Sequence, residues 1–212
     1  MTTPAWASRV NTTHYDDIVT VLLDSGADIN TLFSVFIGQA TPLSIACDKR
    51  HLSTVKLLIA RGADVNQGGT KSPLVTACDR MLLKIVKVLL ENGADVDESA
   101  KLRCHNAMMT AAAIPNSRAL MKLLLEYGAD INMECQWDNF IECPLSIADH
   151  YQLRSNVKCL LECGADLFRE DGVTSCLHAG GLVDRDPKFA ALVKRYEETN
   201  KRANRAMKPI LK

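Results

Sequence analysis

The chain has 212 residues, enough for one large domain or two small ones. Apolar residues make up 47% and aromatics only 5%, so a core must be built mainly from Leu, Ile, Val and Ala. Lys plus Arg and Asp plus Glu stand at 25 each, and zero net charge argues against bulk electrostatic binding to nucleic acid or an anionic membrane.

Taken in chain order, one string recurs. It reads VTVLLDSGADIN at Val19–Asn30, LLIARGADVN at Leu57–Asn66, VKVLLENGADVD at Val86–Asp97, MKLLLEYGADIN at Met121–Asn132 and VKCLLECGADL at Val157–Leu167. A second signal precedes four of the copies: TPLSIAC at Thr41–Cys47, SPLVTAC at Ser72–Cys78, NAMMTAA at Asn106–Ala112 and CPLSIAD at Cys143–Asp149. Pro42 to Gly62, Pro73 to Gly93 and Pro144 to Gly164 are identical spans, and Ala107 to Gly128 is one position longer. Constant internal spacing with variable joints marks a repeated structural unit.

Thr or Ser followed by Pro suits a helix start, the hydroxyl as N-cap and Pro in the first turn. A short helix follows, rich in small residues that let neighbouring helices approach closely. After a turn, apolar residues at helical spacing (Leu52, Val55, Leu58, Ile59; Ile85, Val86, Leu89, Leu90; Leu120, Leu123, Leu124) predict a second helix, which Gly ends as a left-handed C-cap. One such hairpin cannot bury its own apolar face; stacked copies can. Ile29 to Cys47 is an uncharged run long enough for a bilayer, but its polar residues, Gly and Pro argue against a membrane span.

The combination resembles the ankyrin-repeat family, with its period of about 33 residues and its T-P-L-H-x-A signature. The likeness is strong over residues 41–167. It implies an all-α fold, a solenoid of about six helix-turn-helix units joined by β-hairpin-like fingers, at about 3–35, 36–68, 69–99, 100–137, 138–170 and 171–200, with a basic tail over 201–212. Thr3-Pro4-Ala5-Trp6 opens the first unit and Ser175-Cys176-Leu177-His178 the last, both as atypical caps. The signature His is replaced by Ser44, Val75, Met109 and Ser146, so its hydrogen bonds must be weaker or made otherwise. The Gly usual between the two helices is Arg50, Met81, Pro115 and Gln152, and Pro115 points to a displaced turn in the fourth unit.

The joints run from Gly26 to Pro42, Gly62 to Pro73, Gly93 to Ala107, Gly128 to Pro144 and Gly164 to Cys176, and they vary in length where the units do not. The two longest fingers, Thr31–Ala40 and Met133–Glu142, are apolar and aromatic, with Phe33 and Phe36 in one and Trp137 and Phe140 in the other. Either they present a hydrophobic contact patch, or they fold back onto the first helices. The resemblance further implies a concave groove, faced by the residues after the small-residue block: Asp48 and Lys49, Asp79 and Arg80, Ala113 and Ile114, His150 and Tyr151. Each pair differs while the framework around it repeats. Finger asparagines in an L-x5-D-[VI] pattern are, by the same resemblance, substrates of an asparagine hydroxylase; Asn30, Asn66 and Asn132 match, and their plainer role is to bridge backbone groups in the turn.

Chemistry-bearing motifs are missing: the sequence holds no phosphate-binding glycine loop, HExxH or GxSxG. His51 falls where the family places a structural His. Eight cysteines lack paired C-x-x-C spacing, although Cys159 and Cys163 share a helix face and Cys135 lies in a finger expected to be exposed. With no secretory leader evident in MTTPAWASRVNTTHYDD, free thiols in the cytoplasm or nucleus are expected. After Asp186-Pro187, Phe189, Ala190, Leu192, Val193 and Tyr196 give a helix one apolar face that can cap the stack; residues 185–212 hold nine basic and three acidic residues, a charge without the aromatic platform that nucleic-acid binding favours. The expectation is a non-enzymatic module with no metal, cofactor or small-molecule substrate that binds another protein. A self-associating assembly protein is the alternative.

Overall fold

In the computed structural model Thr41, Ser72 and Cys143, which precede Pro42, Pro73 and Pro144, each accept from a free helix N–H. The structure describes residues 12–35, 38–98, 106–137, 140–167 and 186–207. In chain order the elements are α1 (Thr12–Asp24), β1 (Phe33–Val35), β2 (Gly38–Ala40), α2 (Pro42–Asp48), α3 (Leu52–Ala60), α4 (Pro73–Asp79), α5 (Leu83–Glu91), α6 (Ala107–Ala112), α7 (Arg118–Glu126), β3 (Cys135–Trp137), β4 (Phe140–Glu142), α8 (Pro144–His150), α9 (Arg154–Glu162) and α10 (Pro187–Met207). Two compact units divide the chain: Met1–Ala107 with Glu126–Ala129, and Met108–Leu125 with Asp130–Lys212.

In the first unit, Thr41 and Ser72 cap α2 and α4, their hydroxyls accepting from Ser44 N and Val75 N at 3.3 Å. α2 packs on α3 and α4, α4 on α5, and α3 on α1 and α5. The close approach rests on Ala46, Cys47, Ala77 and Cys78, all essentially inaccessible, with Leu43, Val55, Leu58, Leu74, Val86 and Leu89 filling the layer beside them. In the second unit Cys143 caps α8 with its thiol, Sγ accepting from Ser146 N at 3.4 Å, while Ser146 Oγ accepts from Cys143 N at 2.9 Å. Met108, Met109, Leu120, Met121, Leu124, Leu145, Val157 and Leu160 form its core, and Phe189 and Val193 of α10 are buried. Lys188 N donates to Asp186 Oδ1 at 3.0 Å, confirming Asp186 at the start of α10. That helix continues to Met207, through much of the segment expected as a tail.

The missing signature histidines are replaced in two ways. Ser44 and Ser146 bond to their caps, whereas Val75 and Met109 are buried in the core. The repeated Gly-Ala-Asp string is accounted for residue by residue. Gly26, Gly62, Gly93, Gly128 and Gly164 all have φ between 85° and 93°, the left-handed conformation that costs an L-residue about 1–2 kcal/mol. Ala63 N then donates to Leu58 O at 3.0 Å and Gly62 N to Ile59 O at 3.0 Å, and Ala94 and Ala165 repeat the first of these bonds. Asp28, Asp64, Asp95 and Asp130 each accept from the backbone N–H two residues on, at 2.8–3.0 Å, fixing the turn into the next joint.

Between the helices, Arg50, Met81, Asn116 and Gln152 take φ of 56–64°. Three are the residues aligned with the usual Gly. In the fourth the left-handed position moves from Pro115 to Asn116, because the proline ring locks φ in the negative range. This is the single insertion behind the longer span from Ala107 to Gly128.

Candidate interaction surface

The site is built on the C-terminal ends of the short first helices and on the fingers, within each unit. Lys49, Arg80 and Tyr151 are the C-cap residues of α2, α4 and α8. Each follows a buried small-residue block, so the backbone beneath is held while the side chain is free to vary. Tyr151 is 57% exposed, and His150 beside it packs edge-to-face at 5.2 Å between ring centroids. Ile114 lies half-buried in the displaced turn between α6 and α7.

In the first unit the charged residues are paired with one another. Arg80 reaches back one repeat and donates from Nε and Nη2 to Asp48 Oδ1 at 3.0 and 2.6 Å, while Lys49 Nζ stands 3.1 Å from Asp48 Oδ2. Partial burial works to raise the Asp48 carboxyl, but the hydrogen bonds and charges of Arg80 and Lys49 outweigh it and leave the group below its ordinary value. Asp79 pairs with Lys71, a residue of the preceding joint that lies outside the expected set. The result is a surface of alternating, mutually satisfied charge.

The long joints form two-stranded fingers. β1 and β2 run antiparallel with Phe33 opposite Ala40, and β3 and β4 place Trp137 opposite Phe140. Phe33 is half-buried, whereas Leu32 and Val35 are each 41% exposed and Ile141 37%. Phe36 lies outside the described residues, as do the side chains of Trp137 and Phe140 and the expected terminal units around Thr3–Trp6 and Ser175–His178. Cys135 corrects the expectation of an exposed thiol: alternate strand residues turn to opposite faces, and Cys135 takes the inward one, 6% exposed.

The shortest joint, from Gly62 to Pro73, makes no strand. It docks on the free edge of β2 instead, with Thr70 N donating to Gln39 O at 2.9 Å and Gln39 N to Thr70 Oγ1 at 3.0 Å. A Cβ on Gly69 would fall 1.9 Å from Gln39 O, so only glycine permits the approach. The Gly68-Gly69 pair is the sequence signal for this contact.

Asn30, Asn66 and Asn132 bridge neighbouring repeats. Their Oδ1 atoms accept from Asp64 N, Asp95 N and Asp166 N at 3.0, 2.8 and 2.8 Å. Asn66 Nδ2 also donates to Gly93 O at 3.1 Å, and Asn132 Nδ2 to Asp166 Oδ2 at 2.8 Å. Expected within a turn, the bridging runs between turns. His51 stacks on Tyr15 with centroids 5.1 Å apart, joining α3 to α1. Among the described residues no three His, Cys, Asp or Glu side chains group as metal ligands, and no helix is long and apolar enough to cross a membrane.

Helical hairpins of nearly constant length, left-handed glycine caps and finger-like joints define a protein of helical repeats. Residues 5–100 match the family model of ankyrin repeats in three copies. The ankyrin repeat domain of human ASB11 is a similar solved structure, with 27% sequence identity and a TM-score of 0.61 over 78% of this chain and 71% of that one. In all, 523 solved chains match, while no curated protein sequence does. The chain carries ankyrin repeats, and ankyrin repeats are generally protein–protein interaction modules.

Proposed function

We propose that the chain is a non-enzymatic module that binds a partner protein, as a peptide segment or a folded domain, through its first-helix ends and finger row. It acts as an adaptor, a substrate receptor or an inhibitor that covers a partner's site, in the cytoplasm or nucleus. The observation that carries this reading is the contrast at one structural position. Lys49, Arg80 and Tyr151 cap equivalent helices, are exposed, and differ in chemistry, while the core beneath them repeats. A prebuilt scaffold of this kind loses little conformational freedom on binding. The alternating charge at Asp48, Lys49, Asp79 and Arg80 in the first unit suits partner residues of mixed charge, and the aromatic pair His150–Tyr151 in the second suits apolar ones. Asn30, Asn66 and Asn132 remain candidate hydroxylation sites.

The test is capture of a partner by the wild-type chain and by a Lys49→Ala/Arg80→Ala/Tyr151→Ala variant, followed by rebinding with the purified partner. Loss of binding by a variant that keeps its far-ultraviolet circular dichroism and a cooperative melt supports the assignment; equal binding by both sinks it. A second reading rests on exposed Leu32, Val35 and Ile141, which suit self-association through the fingers. Light scattering on the wild type, beside Val35→Ser and Trp137→Ala, decides: a monomer unaffected by either change removes that reading.

A further inference from the structure

Helix α9 carries two free thiols one turn apart, Cys159 and Cys163. Side chains four residues apart on a helix share a face, with Cβ atoms about 5–6 Å apart. A disulfide needs a Cβ separation of about 3.5–4.5 Å, so the pair does not close on itself while α9 stays intact. The two thiols nevertheless lie close enough for Cys163 to disfavour ionisation of Cys159. Cys159 is buried, and Cys163, the C-cap of α9, is half-buried and gives access from solvent. Burial first, and then the neighbouring Cys163, push the Cys159 thiol up to about 11, so it is protonated at neutral pH. Among the described residues no third His, Cys, Asp or Glu completes a metal-ligand group around the pair, which disfavours four-coordinate zinc. A soft centre satisfied by two sulfurs, lying between them, spans the gap that a direct S–S bond cannot.

We propose that Cys159 and Cys163 form a dithiol site for a trivalent arsenical. An R–As=O group condenses with both thiols: two S–H bonds and the As=O linkage break, two As–S bonds form, and oxygen leaves as water with both protons. No electron is transferred, and protonated thiols are the reactants the step consumes. Cys47 and Cys78 are fully buried and sit on separate helices, so neither offers an accessible partner on its own helix.

The test treats the full chain with a stoichiometric amount of phenylarsine oxide in excess glutathione and reads the intact mass. The expected result is one adduct per chain that resists glutathione, is released by dithiothreitol, and forms with the far-ultraviolet circular dichroism unchanged. It is absent from Cys163→Ser and Cys159→Ala and retained by Cys47→Ala. Cys163→Ser alters a half-exposed cap, and its own dichroism establishes that it folds. No glutathione-resistant adduct, an adduct that persists in folded Cys163→Ser, or one that forms only with loss of helix overturns the assignment.

Discussion

Asn156 donates from Nδ2 to the carbonyl oxygen of Ile114 at 2.7 Å, and to that of Ala112 at 3.1 Å. Proline has no N–H, and the residue inserted at Pro115 displaces the turn between α6 and α7, leaving carbonyls there without the usual helical partners. Buried Ser117 serves the same turn, its hydroxyl donating to Ala111 O at 2.5 Å. Two polar side chains with no exposed surface thus repair an irregularity one repeat away and one turn away.

Asn156→Ala removes both bonds and leaves two poorly solvated acceptors. The expected cost is about 2–4 kcal/mol, from about 1–3 kcal/mol per unsatisfied buried group. Urea denaturation should show a lower midpoint at unchanged slope. A shift equivalent to less than about 0.5 kcal/mol contradicts the repair role.

The left-handed residues give a prediction of opposite sign. Arg50 and Gln152 are exposed, at φ of 64° and 57°, so Arg50→Gly and Gln152→Gly relieve backbone strain. Each should stabilise by about 0.5–1 kcal/mol, the relief of about 1–2 kcal/mol being partly offset by the freer unfolded chain. Gly62→Ala should destabilise by about 1–2 kcal/mol although an added Cβ meets nothing within 4 Å, because the cost is conformational. Thermal melts of the three variants check the signs.

Asn66 links two turns through both ends of its carboxamide. Asn66→Ala should cost about 1–2 kcal/mol, and Asn66→Asp less, since the acceptor for Asp95 N survives while the donor to Gly93 O is lost. Amide hydrogen exchange at Asp95 reads the first bond directly: protection should fall in Asn66→Ala and persist in Asn66→Asp. Equal protection in all three chains denies the bridge any stabilising part.

Stability should decline at both ends of the pH scale for separate reasons. Burial, reinforced by the Asp48 charge, pushes the Cys47 thiol from its ordinary 9.0 up to about 12, and burial raises Cys78 further. Below the ordinary value both chain states hold the proton, so the contribution is complete there. Between pH 9 and 12 only the unfolded thiol ionises, and stability falls as pH rises. At the acid end, Asp48 lies below its ordinary value, so its contribution is present above that value and is lost as pH falls through the lowered one. Cys47→Ala should flatten the alkaline limb and Arg80→Ala the acid limb of a denaturation midpoint followed against pH.

The same thiols give a kinetic check. An aromatic disulfide reagent at mildly alkaline pH should label Cys163 in the folded chain and reach Cys47 and Cys78 only after unfolding, as mapped by peptide mass. Early labelling of Cys47 contradicts its burial.

Local rules made much of this architecture readable beforehand. Thr-Pro and Ser-Pro announce a helix start because cap and first turn are adjacent in sequence, and glycine after an apolar helical run announces a left-handed cap. The displaced turn at Pro115 was equally legible, since the proline ring restricts φ whatever surrounds it. The two longest joints, each with room for a hairpin, proved to be paired strands.

Other features depended on partners distant in sequence. Nothing near Asp48 marks Arg80 as its partner one repeat on, nothing near Cys135 says which strand face turns inward, and Asn30, Asn66 and Asn132 looked like turn residues until the adjoining repeat stood beside them. Backbone conformation and helix ends, governed by steric and hydrogen-bond preferences within a few residues, were determined by the sequence alone. Tertiary structure decided which charges neutralise one another and which apolar side chains stay in water, because those outcomes depend on distances that exist only once the repeats are packed.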